Sequence, residues 1–590
     1  MADQTPNEQL DRIRHSLAHL LAAAVLKEFP DAKLGVGPTV ENGFYYDFLL
    51  PRAVTPEDLK TLEKTMRSLV NKKLPFTGRE VSAAEAKKLF AHQPFKLELI
   101  DDFTGAGQPG KEQEKLTVYE TGDVFMDLCR GGHVENTSEI PADGFKLDKI
   151  AGAYWRGDEK NQQLQRIYGL AFESKEELKE YETMVEEAKK RDHKVLGPKL
   201  DLFCFSDLVG PGLPLWTPRG TVLRNLLDDF VWQLRKSRGY LQVDIPHITK
   251  KDLYETSGHW EKFKDELFKI ETREKHLFAL KPMNCPHHTQ IYARRQWSYR
   301  ELPQRYANTT KVYRDEQSGE LAGLSRVLSI TQDDAHVFCR HSQVKDEIFK
   351  IWDIITEFYG AFGFDLSIRL SLHDPERPEK YLGTPERWKD AESHLRQLVR
   401  EHGANAVEAP GEAALYGPKI DFMGKDALGR SIQVATIQLD MNQPERFDLT
   451  CVNEKGEKER IVMIHAAIMG SIERFLSVII EHFAGAFPVW LAPVQATVVP
   501  VSEKFSDYGR SVHEALRDAD IRAEFAEADE SLGKRIRAAE MMKTPYILVV
   551  GEKEMTAKTV NVRDRKSKEN EMSLAEFMKK IEGEVKEKTL

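Results

Sequence analysis

Apolar and polar residues alternate through the segment from Lys311 to Cys339, which predicts an antiparallel hairpin. Two β-prone runs flank a loop rich in glycine and serine, and a period of two places successive side chains on opposite faces of a strand. In the second run, one face collects the long polar side chains. That face comprises Arg326, Leu328, Ile330, Gln332, Asp334 and His336, and the opposite face comprises Val327, Ser329, Thr331, Asp333 and Ala335. Taken alone, the polar face fits either an exposed sheet edge or a binding site.

Two further segments combine the period of a strand with that of a helix. Residues 461–480 pass from a β-rich run into a helical pattern that carries Arg474 near its start. Residues 206–248 give a Gly/Pro-rich loop, a long amphipathic helix, and a strand interrupted by Pro246. These patterns predict a mixed α and β fold for the centre of the chain.

Local signals divide the chain into three domains and one linker helix. A heavily charged helical pattern runs from Ser174 to His193 and is followed by Gly197 and Pro198, which end a helix. Beyond residue 493, strand and helix patterns alternate as in a small α/β domain. We therefore predict domains at residues 1–173, 194–491 and 493–590, with a linker helix at residues 174–193.

The composition is that of an ordinary soluble globular protein. Hydrophobic residues make up 41% of the 590 residues and charged residues 31%. The start of the chain lacks the basic and then apolar order of a secretory signal, which predicts a cytoplasmic location. Five scattered cysteines argue against a disulfide framework. A net charge of -10 argues against indiscriminate coating of nucleic acid, although local basic patches remain possible.

Candidate ligands for phosphate and for a metal ion occur in the central segment. Arg314 and Glu316 lie in the predicted hairpin loop. A guanidinium forms a bidentate fork with phosphate oxygens, and a carboxylate accepts from an exocyclic amine. Cys285, His336 and His465 suit a catalytic zinc ion that keeps an open position. Residues so far apart in sequence are nevertheless more often unrelated members of a core.

The N-terminal segment holds a second set of cysteine and histidine. His15 and His19 are spaced i, i+4 on a predicted helix and so share a face, and Cys129 and His133 follow much later. The set fits a zinc site or, alternatively, satisfied histidines beside a buried thiol. It does not fit a metalloprotease, because Ser16 occupies the position of the general-base glutamate.

Residues 206–248, 311–339 and 461–480 resemble, in this order, motifs one, two and three of class II aminoacyl-tRNA synthetases, which have an antiparallel sheet core. The sequences KPMNCPHH, TQDDAHVFC and MIHAAIMGSIERF resemble those of the threonine enzymes. The resemblance implies activation of threonine with ATP, its transfer to tRNA(Thr), and a homodimer formed through motif one. It also implies Mg²⁺ with ATP and one zinc ion per subunit, held by Cys285, His336 and His465.

The same resemblance assigns further central residues to the substrates. It implies ATP binding by Arg314, Glu316, Arg326, Gln433, Thr436 and Arg474, and threonine binding by Gln332, Asp334, Tyr416, Lys419 and Gln438. Attack of the carboxylate on the α-phosphate is mainly a matter of positioning and charge neutralisation, which gives Arg314 and Arg474 a catalytic part. His259 matches a position with a proton-transfer role in loading the tRNA, which suits a histidine near neutral pH.

A zinc-based threonine site also predicts a corrective site. Valine offers no hydroxyl ligand and is excluded at the metal, but serine lacks only one methyl group, worth about 1–3 kcal/mol or about 10–200-fold. Residues 1–173 resemble the α+β editing domain of threonyl-tRNA synthetases, which has relatives in the alanine enzymes. The resemblance implies metal-free hydrolysis of seryl-tRNA(Thr) by His15, His19, Tyr46, Lys96, Asp127, Cys129 and His133.

The C-terminal segment resembles the α/β anticodon-binding domain shared by the Thr, Pro, His and Gly enzymes. It combines a predicted basic amphipathic helix with predicted strands that bear Glu554 and Arg563, which match anticodon-contacting positions. Hydrogen bonds to exposed base edges are the means by which single-stranded anticodons are read. A solvated helix face is the alternative for the basic residues Lys534, Arg535, Arg537 and Lys543.

Several positions depart from the family pattern. Ile330 stands where an aromatic residue usually stacks on adenine, Leu328 where a basic residue is common, and Val434-Ala435 where Cys-Gly is usual. His15 lies so near the start that we expect the small extra N-terminal domain of many bacterial relatives to be missing. The rival functions are another class II synthetase, notably the proline or serine enzyme, and a non-catalytic paralogue that binds tRNA or a partner or only edits.

Overall fold

The computed structural model describes residues 8–105, 116–426 and 429–590, and the chain divides into two compact units, Met1–Glu186 and Glu187–Leu590. The elements of the first unit are α1 Glu8–Glu28, β1 Lys33–Leu34, β2 Thr39–Val40, β3 Gly43–Leu49, α2 Pro56–Val70, β4 Phe76–Val81, α3 Ala83–Leu89, α4 Pro94–Thr104, β5 Leu116–Thr121, β6 Phe125–Leu128, β7 Phe145–Tyr154, β8 Gln163–Ala171 and α5 Lys175–Arg191. The predicted linker helix at residues 174–193 is thus helical as α5, and the boundary between the two units falls inside it.

The first unit consists of two antiparallel sheets and the helices packed on them. One sheet has the order β1-β3-β8-β7, with β2 also paired to β3, and the other has the order β4-β5-β6. The apolar run from Leu17 to Val25 buries α1 against α2 and β3. Thr55 and Asp58 form a capping box that starts α2. The helical spacing predicted for His15 and His19 is confirmed, since both lie on α1.

The larger part of the second unit is built around one long sheet. Its elements are α6 His193–Lys199, β9 Phe203–Cys204, β10 Leu215–Trp216, α7 Pro218–Ser237, β11 Leu241–Gln242, β12 Ile248–Lys250, α8 Lys251–Ser257, α9 His259–Lys262, β13 Lys269–Glu271, β14 Leu277–Leu280, α10 Cys285–Ala293, β15 Trp297–Ser298, β16 Gln304–Tyr313, β17 Ser329–Cys339, α11 Val344–Gly360, β18 Ser367–Leu372, α12 Pro385–Glu401, β19 Ala406–Pro410, β20 Lys419–Lys425, β21 Ser431–Asp440, α13 Asn442–Arg446, β22 Thr450–Val452, β23 Lys458–Arg460, β24 Val462–Ala467 and α14 Ile472–His482.

The long sheet has eight strands in the order β11-β16-β17-β24-β21-β20-β18-β19 and is antiparallel except at its two ends. The predicted hairpin is confirmed, with β16 and β17 paired from Gln304 opposite Phe338 to Tyr313 opposite Ser329. The edge-strand alternative is wrong, because β17 lies between β16 and β24. The strand begins only at Ser329, so the structure places Arg326 and Leu328 in the preceding loop rather than on the strand face.

The two faces of β17 have different surroundings. The face with Ala335 and Val337 packs into the main core together with residues of α7, α11 and α14. On the same face Asp333 forms an ion pair with Arg235 of α7 and accepts from the backbone amides of Ile468 and Met469. Helices therefore pack on this face, and residues of the opposite face line cavities.

The C-terminal part of the second unit is a small α/β domain, as the sequence predicts. Its sheet has the order β26-β25-β27-β28-β29. Its elements are β25 Ala496–Pro500, α15 Ser506–Asp518, β26 Ala523–Phe525, α16 Leu532–Met541, β27 Tyr546–Val550, α17 Glu552–Ala557, β28 Thr559–Asp564, β29 Glu569–Ser573 and α18 Leu574–Glu587. In the described parts of the chain, no helix is long and apolar enough to cross a membrane.

Two predictions for this domain are wrong. Glu554 lies on the short helix α17 rather than on a strand, because its carboxylate accepts from the backbone amide of Gly551 at 2.9 Å and caps the helix start. Lys543 lies beyond the end of α16, with a positive φ of 58°. Arg563 lies on β28, as predicted.

Candidate functional sites

Cys285, His336 and His465 come together although they are far apart in sequence. Cys285 begins α10, while His336 and His465 are direct partners across β17 and β24. One side-chain atom from each residue lies within 4.8 Å of those of the other two, and His336 Nε2 is 3.1 Å from His465 Nδ1. Two nitrogen ligands at about 2.0–2.1 Å from a tetrahedral zinc ion would be about 3.3 Å apart. The three residues therefore fit a zinc ion, and all three are buried.

The ring nitrogens that point away from this metal-binding set are held by further side chains. His465 Nε2 lies 2.8 Å from Asp440 Oδ2, and His336 Nδ1 lies 2.8 Å from His288 Nδ1. Metal-binding histidines are generally oriented by such outer contacts. Burial raises the pKa of the Cys285 thiol and lowers the pKa of His336, so both groups are neutral on their own. A bound dication would favour the thiolate of Cys285.

A cavity of about 730 Å³, here called the amino-acid cavity, opens beside this metal-binding set. The residues predicted for threonine that line it are Gln332, Asp334, Tyr416 and Gln438. Tyr416 donates to Gln438 Oε1 at 2.7 Å, and its ring stacks on that of His465 at 4.6 Å between centroids. Asp334 accepts from Asn284 Nδ2 at 3.0 Å. The fifth predicted residue, Lys419, is instead paired with Asp421 at 3.2 Å behind this lining.

A second cavity of about 660 Å³, here called the nucleotide cavity, adjoins the first. All six residues predicted for ATP line it: Arg314, Glu316, Arg326, Gln433, Thr436 and Arg474. Glu316 accepts from Arg326 at 2.9 Å and 2.6 Å, so these two predicted ligands are paired with each other. Arg314 lines both cavities, and its buried Nε has no hydrogen-bond partner among the residues that the structure describes. The side chain of Arg314 therefore lies at the junction of the two cavities.

The departures from the family pattern are distributed unevenly around the nucleotide cavity. Ile330, Val434 and Ala435 line it. Leu328 is not among its described lining residues. Its side chain instead packs against Gly212, where an added Cβ would come within 3.0 Å of it. Ile330, at the position expected to stack on adenine, therefore lies directly at the cavity wall.

His259 is not brought to either cavity. It is fully buried, its Nδ1 lies 2.8 Å from Ser257 Oγ, and its Nε2 has no hydrogen-bond partner in the described part of the chain. The ring of Phe263, which lines the amino-acid cavity, is 5.7 Å from the imidazole, centroid to centroid. Burial is the main cause that lowers the pKa of His259 to about 3, and nearby positive groups add to it.

In the first unit, the four predicted Cys/His residues form one cluster. Cys129 Sγ lies 3.4 Å from His15 Nε2 and 3.3 Å from His133 Nε2, and ligand atoms of all four, including one of His19, lie within 4.8 Å of one another. Burial raises the pKa of Cys129 to about 11 and lowers the pKa values of His15, His19 and His133. At neutral pH the cluster is therefore uncharged.

Tyr46, Lys96 and Asp127 adjoin this cluster, as predicted. Asp127 pairs with Lys96 Nζ at 2.6 Å and accepts from the Tyr46 hydroxyl at 2.5 Å. The side chains of Lys96 and Asp127 are only 3% and 4% exposed, so the pair is buried. Lys96 and Asp127 also line a cavity of about 470 Å³, here called the editing cavity, together with His15, His19 and Cys129. Neutral donors and acceptors beside one buried ion pair suit the positioning of water.

The predicted basic surface of the C-terminal domain is only partly available. Arg535 is buried and donates to the carbonyl oxygens of Glu530 and Pro500 at 2.9 Å and 2.7 Å. Arg563 lies 3.0 Å from Glu540 and so already has an acidic partner. Arg537 is exposed on α16. Arg535 is therefore a structural residue.

Asp440 and His288, the two outer partners of the metal-binding histidines, are not among the site residues predicted from the sequence. Asp440 lies two residues after Gln438 on β21, so the period of two already places both on one face. His288 lies three residues after Cys285 on α10, which puts both on one side of the helix. Both signals were present in the local spacing.

Three protein-family models match segments of the chain. They are "tRNA synthetase class II core domain (G, H, P, S and T)" at residues 268–483, "Anticodon binding domain" at residues 495–584, and "Threonyl and Alanyl tRNA synthetase second additional domain" at residues 116–168. Together they confirm the predicted fold class, a class II core with an editing domain and an anticodon-binding domain.

Individual threonine–tRNA ligases are similar to this protein over nearly the full chain. A "Threonine--tRNA ligase" of Gloeobacter violaceus is 49% identical over 571 residues, covering 95% of this chain and 90% of the relative, and one of Synechocystis sp. is 45% identical over 589 residues, covering 98% and 96%. The "RNA binding domain of Threonyl-tRNA synthetase" of Cryptosporidium parvum superposes with a TM-score of 0.64 at 39% identity, covering 66% of this chain and 98% of that structure. The proline and serine alternatives are thereby excluded, and the chain belongs to the threonine–tRNA ligase family of class II aminoacyl-tRNA synthetases, with a domain composition consistent with charging and editing.

Proposed function

We propose that this chain activates threonine with Mg²⁺-ATP in the two joined cavities and transfers it to tRNA(Thr). The observation that carries the proposal is the position of Arg314, which lines both cavities and whose buried Nε finds no hydrogen-bond partner within the described ranges. A guanidinium at the junction can contact a carboxylate on one side and a phosphate on the other. Aligning these two groups and neutralising their charge is most of what adenylate formation requires.

At the amino-acid end, recognition of threonine needs a group that detects its hydroxyl. A zinc ion held by Cys285, His336 and His465 would provide an open position for the amino and hydroxyl groups of threonine. Asp334 is buried beside these residues and would accept from the substrate ammonium. The stacked Tyr416 ring closes the cavity next to His465. An isosteric substrate without a hydroxyl, such as valine, would be rejected.

At the nucleotide end, the arginines surround the space where the phosphates would lie. Arg474 follows the N-cap Ser471 of α14, and its side chain reaches the same cavity as Arg314. Glu316 is oriented by Arg326 and would accept from the exocyclic amine of adenine. These contacts support a phosphate-binding role for the two arginines and an adenine-recognition role for Glu316.

We further propose that the editing cavity hydrolyses seryl-tRNA(Thr) without a metal ion. The group that must be recognised differs from threonine by one methyl group, which is worth only about 10–200-fold at the synthetic site. The neutral cluster of Cys129, His15 and His133 can bind and orient a water molecule next to the Lys96–Asp127 pair. Seven predicted residues within one small region support this assignment.

The remaining parts of the chain have supporting roles in this proposal. The domains span residues 1–173, 194–491 and 493–590, with the linker helix 174–193, and the last domain reads the anticodon with Glu554 and Arg563. The proposed location is the cytoplasm. A homodimer is proposed because the segment before α7 exposes apolar side chains that a second copy could cover. Leu208, which is fully exposed, and Leu215 are the examples. Sedimentation equilibrium of the active protein should give the mass of two chains.

The decisive experiment is amino-acid-dependent ATP–pyrophosphate exchange, measured separately with threonine, serine, valine and proline. Exchange with threonine, weaker exchange with serine and none with valine is the expected result. The absence of exchange with any amino acid would favour a non-catalytic paralogue, and preference for another amino acid would refute the substrate. The complete set of arginines around the nucleotide cavity supports catalysis over a purely RNA-binding function.

A further inference from the structure

His193, the first residue of α6, is held by hydrogen bonds on both sides of its ring. Its Nδ1 lies 2.7 Å from Glu481 Oε1 of α14, and its backbone amide donates to the same oxygen at 3.3 Å. On the other side, the backbone amide of Leu324 donates to His193 Nε2 at 3.1 Å. The His193 side chain is only 3% exposed.

These contacts determine the form of the imidazole. A backbone amide can only donate, so Nε2 must carry a lone pair and the ring proton must be on Nδ1, from which it is donated to Glu481. The ring is therefore neutral and has one tautomer. Its two hydrogen bonds have opposite polarity, so a side chain that only donates or only accepts cannot replace it.

The two partners belong to two of the elements that line the nucleotide cavity. Leu324 is fully buried in the loop of residues 314–328, here called the nucleotide loop, which also carries Glu316 and Arg326. Glu481 lies seven residues after Arg474 on α14 and so on the same face of that helix. His193 thus forms hydrogen bonds to both elements. One is the nucleotide loop, which carries Glu316 and Arg326, and the other is α14, which carries Arg474.

The nucleotide loop approaches His193 closely. Gly323 has a φ of +56°, and a Cβ added there would come within 2.5 Å of His193 Nε2. Glycine both permits this backbone conformation and leaves room for the ring. The position of the loop at residues 323–324 is therefore defined by the imidazole.

A metal ion does not explain this arrangement. Asp192, His193 and Glu481 have side-chain atoms close enough to suggest a metal site. The carboxylate of Asp192, however, accepts from the backbone amide of Lys194 at 2.8 Å as the N-cap of α6. Both ring nitrogens of His193 are already engaged, so no lone pair is left for an ion.

We propose that His193 is a positioning residue for the nucleotide: it fixes the nucleotide loop against α14, and thereby sets the affinity for ATP without touching it. The inference rests on the proposed nucleotide cavity. His193 is not among the described residues that line either cavity. Its effect must therefore act through the placement of Glu316, Arg326 and Arg474. Small displacements of positioned groups are known to have large kinetic effects.

The test is the substitution His193→Ala in the full-length protein, assayed by threonine-dependent ATP–pyrophosphate exchange. We expect the KM for ATP to rise about 10-fold, while the KM for threonine stays within about twofold, because the residues that line only the amino-acid cavity are held by other contacts. The substitution His193→Gln should restore most of the ATP affinity, because one amide side chain offers both a donor and an acceptor.

His373 provides a matched control. Its Nδ1 lies 2.6 Å from Glu392 Oε1, and its backbone amide donates to the same oxygen at 3.0 Å, which is the arrangement that His193 makes with Glu481. His373 does not contact the nucleotide loop in any hydrogen bond of the described residues. We therefore expect both His193→Ala and His373→Ala to lower the melting temperature, and His373→Ala to leave the KM for ATP unchanged.

Three outcomes would overturn the proposal: an unchanged KM for ATP in His193→Ala, an equal rise in the KM values for ATP and threonine, or the same KM for ATP in the Gln and Ala variants. If His193→Ala does not fold, Glu481→Ala removes the ring's acceptor at a partly exposed position, where the side chain is 26% exposed, and should raise the KM for ATP in the same direction. Failure of the proposed function itself would be recognised separately, since the wild-type protein would then show no exchange.

Discussion

The imidazole of His465 is held between His336 and Asp440, with Nε2 only 2.8 Å from the carboxylate oxygen Oδ2 of Asp440. Asp440 is fully buried, and its other oxygen, Oδ1, accepts from the backbone amides of Asn442 and Gln443. A fixed acceptor on Nε2 places the proton there and presents the Nδ1 lone pair to the metal-binding set. Asp440 therefore sets the tautomer and orientation of one proposed zinc ligand.

The first prediction concerns the metal affinity. Asp440→Asn keeps Oδ1 for the two backbone amides and replaces Oδ2 by an amide group that cannot accept from His465. We expect zinc to bind about 10–100-fold more weakly, as is typical when an outer partner of a ligand is lost. Competition with a chromophoric chelator measures the dissociation constant directly. Glu392→Gln, which alters the equivalent carboxylate contact of His373, is the control and should bind zinc like the wild type.

An unchanged zinc dissociation constant in Asp440→Asn would contradict this role. A protein that binds no zinc before any substitution would contradict the metal site itself. The two results are distinguishable, because the wild-type metal content is measured first.

The second prediction concerns the editing cavity. Cys129→Ala removes the sulfur that contacts both His15 and His133, and should lower the rate of seryl-tRNA(Thr) hydrolysis by about 10²-fold. Threonine-dependent ATP–pyrophosphate exchange should not change, because Cys129 lies in the first compact unit and Cys285 in the second. Deacylation of preformed seryl-tRNA(Thr) is the measurement. Cys204→Ala, at an exposed cysteine, is the control, and equal deacylation by both variants would show that the thiol has no part in hydrolysis.

The sequence predicts the individual helices and strands of this fold better than it predicts which strands pair with each other. The β16–β17 hairpin follows from local alternation, and the period of two correctly separates the buried face with Ala335 from the cavity face with His336. Whether such a strand is central or at an edge depends on pairing with β24, which lies more than a hundred residues later. The local pattern carries no information on that pairing. The sequence alone therefore does not distinguish an edge strand from a central strand.

The same limit applies to the sites. His336 and His465 are in contact although they are 129 positions apart in sequence. Only the resemblance to known enzymes predicts that they belong to one site. The sequence predicts a strand at Glu554, but this residue lies on α17, where its carboxylate accepts from the backbone amide of Gly551. Lys419 shows a different limit. Its residue type fits a substrate contact, but a buried neighbour, Asp421, binds it instead.

The third prediction concerns the pH dependence of transfer to tRNA. Burial above all lowers the pKa of His259 to about 3, so the imidazole is neutral at neutral pH and is protonated only in strong acid. If His259 takes part as a proton acceptor, the single-turnover transfer rate should stay constant from about pH 8 to about pH 6, whereas an unshifted histidine would cause a loss near about pH 6.5. A loss of rate near that pH in the wild type, absent in His259→Ala, would refute the neutral, buried state.

The last prediction concerns the wall of the nucleotide cavity at Ile330. This side chain lies on the cavity face of β17, directly opposite Val312 of β16, at the position where the family resemblance leads us to expect a stacking aromatic residue. Stacking of a base on an aromatic ring is worth about 1–3 kcal/mol, and an isoleucine supplies only part of that by apolar contact. Ile330→Phe should therefore lower the KM for ATP by about 2- to 10-fold, with little change in the KM for threonine.

The nucleotide cavity, at about 660 Å³, has room for the larger ring, so stability should be nearly unaffected. Ile330→Leu is the control, because it keeps the volume and adds no aromatic face. Initial rates of ATP–pyrophosphate exchange at varied ATP give both KM values. A higher KM for ATP in Ile330→Phe would mean that the adenine does not lie against this strand position, and that the cavity holds the nucleotide through Glu316 and the arginines alone.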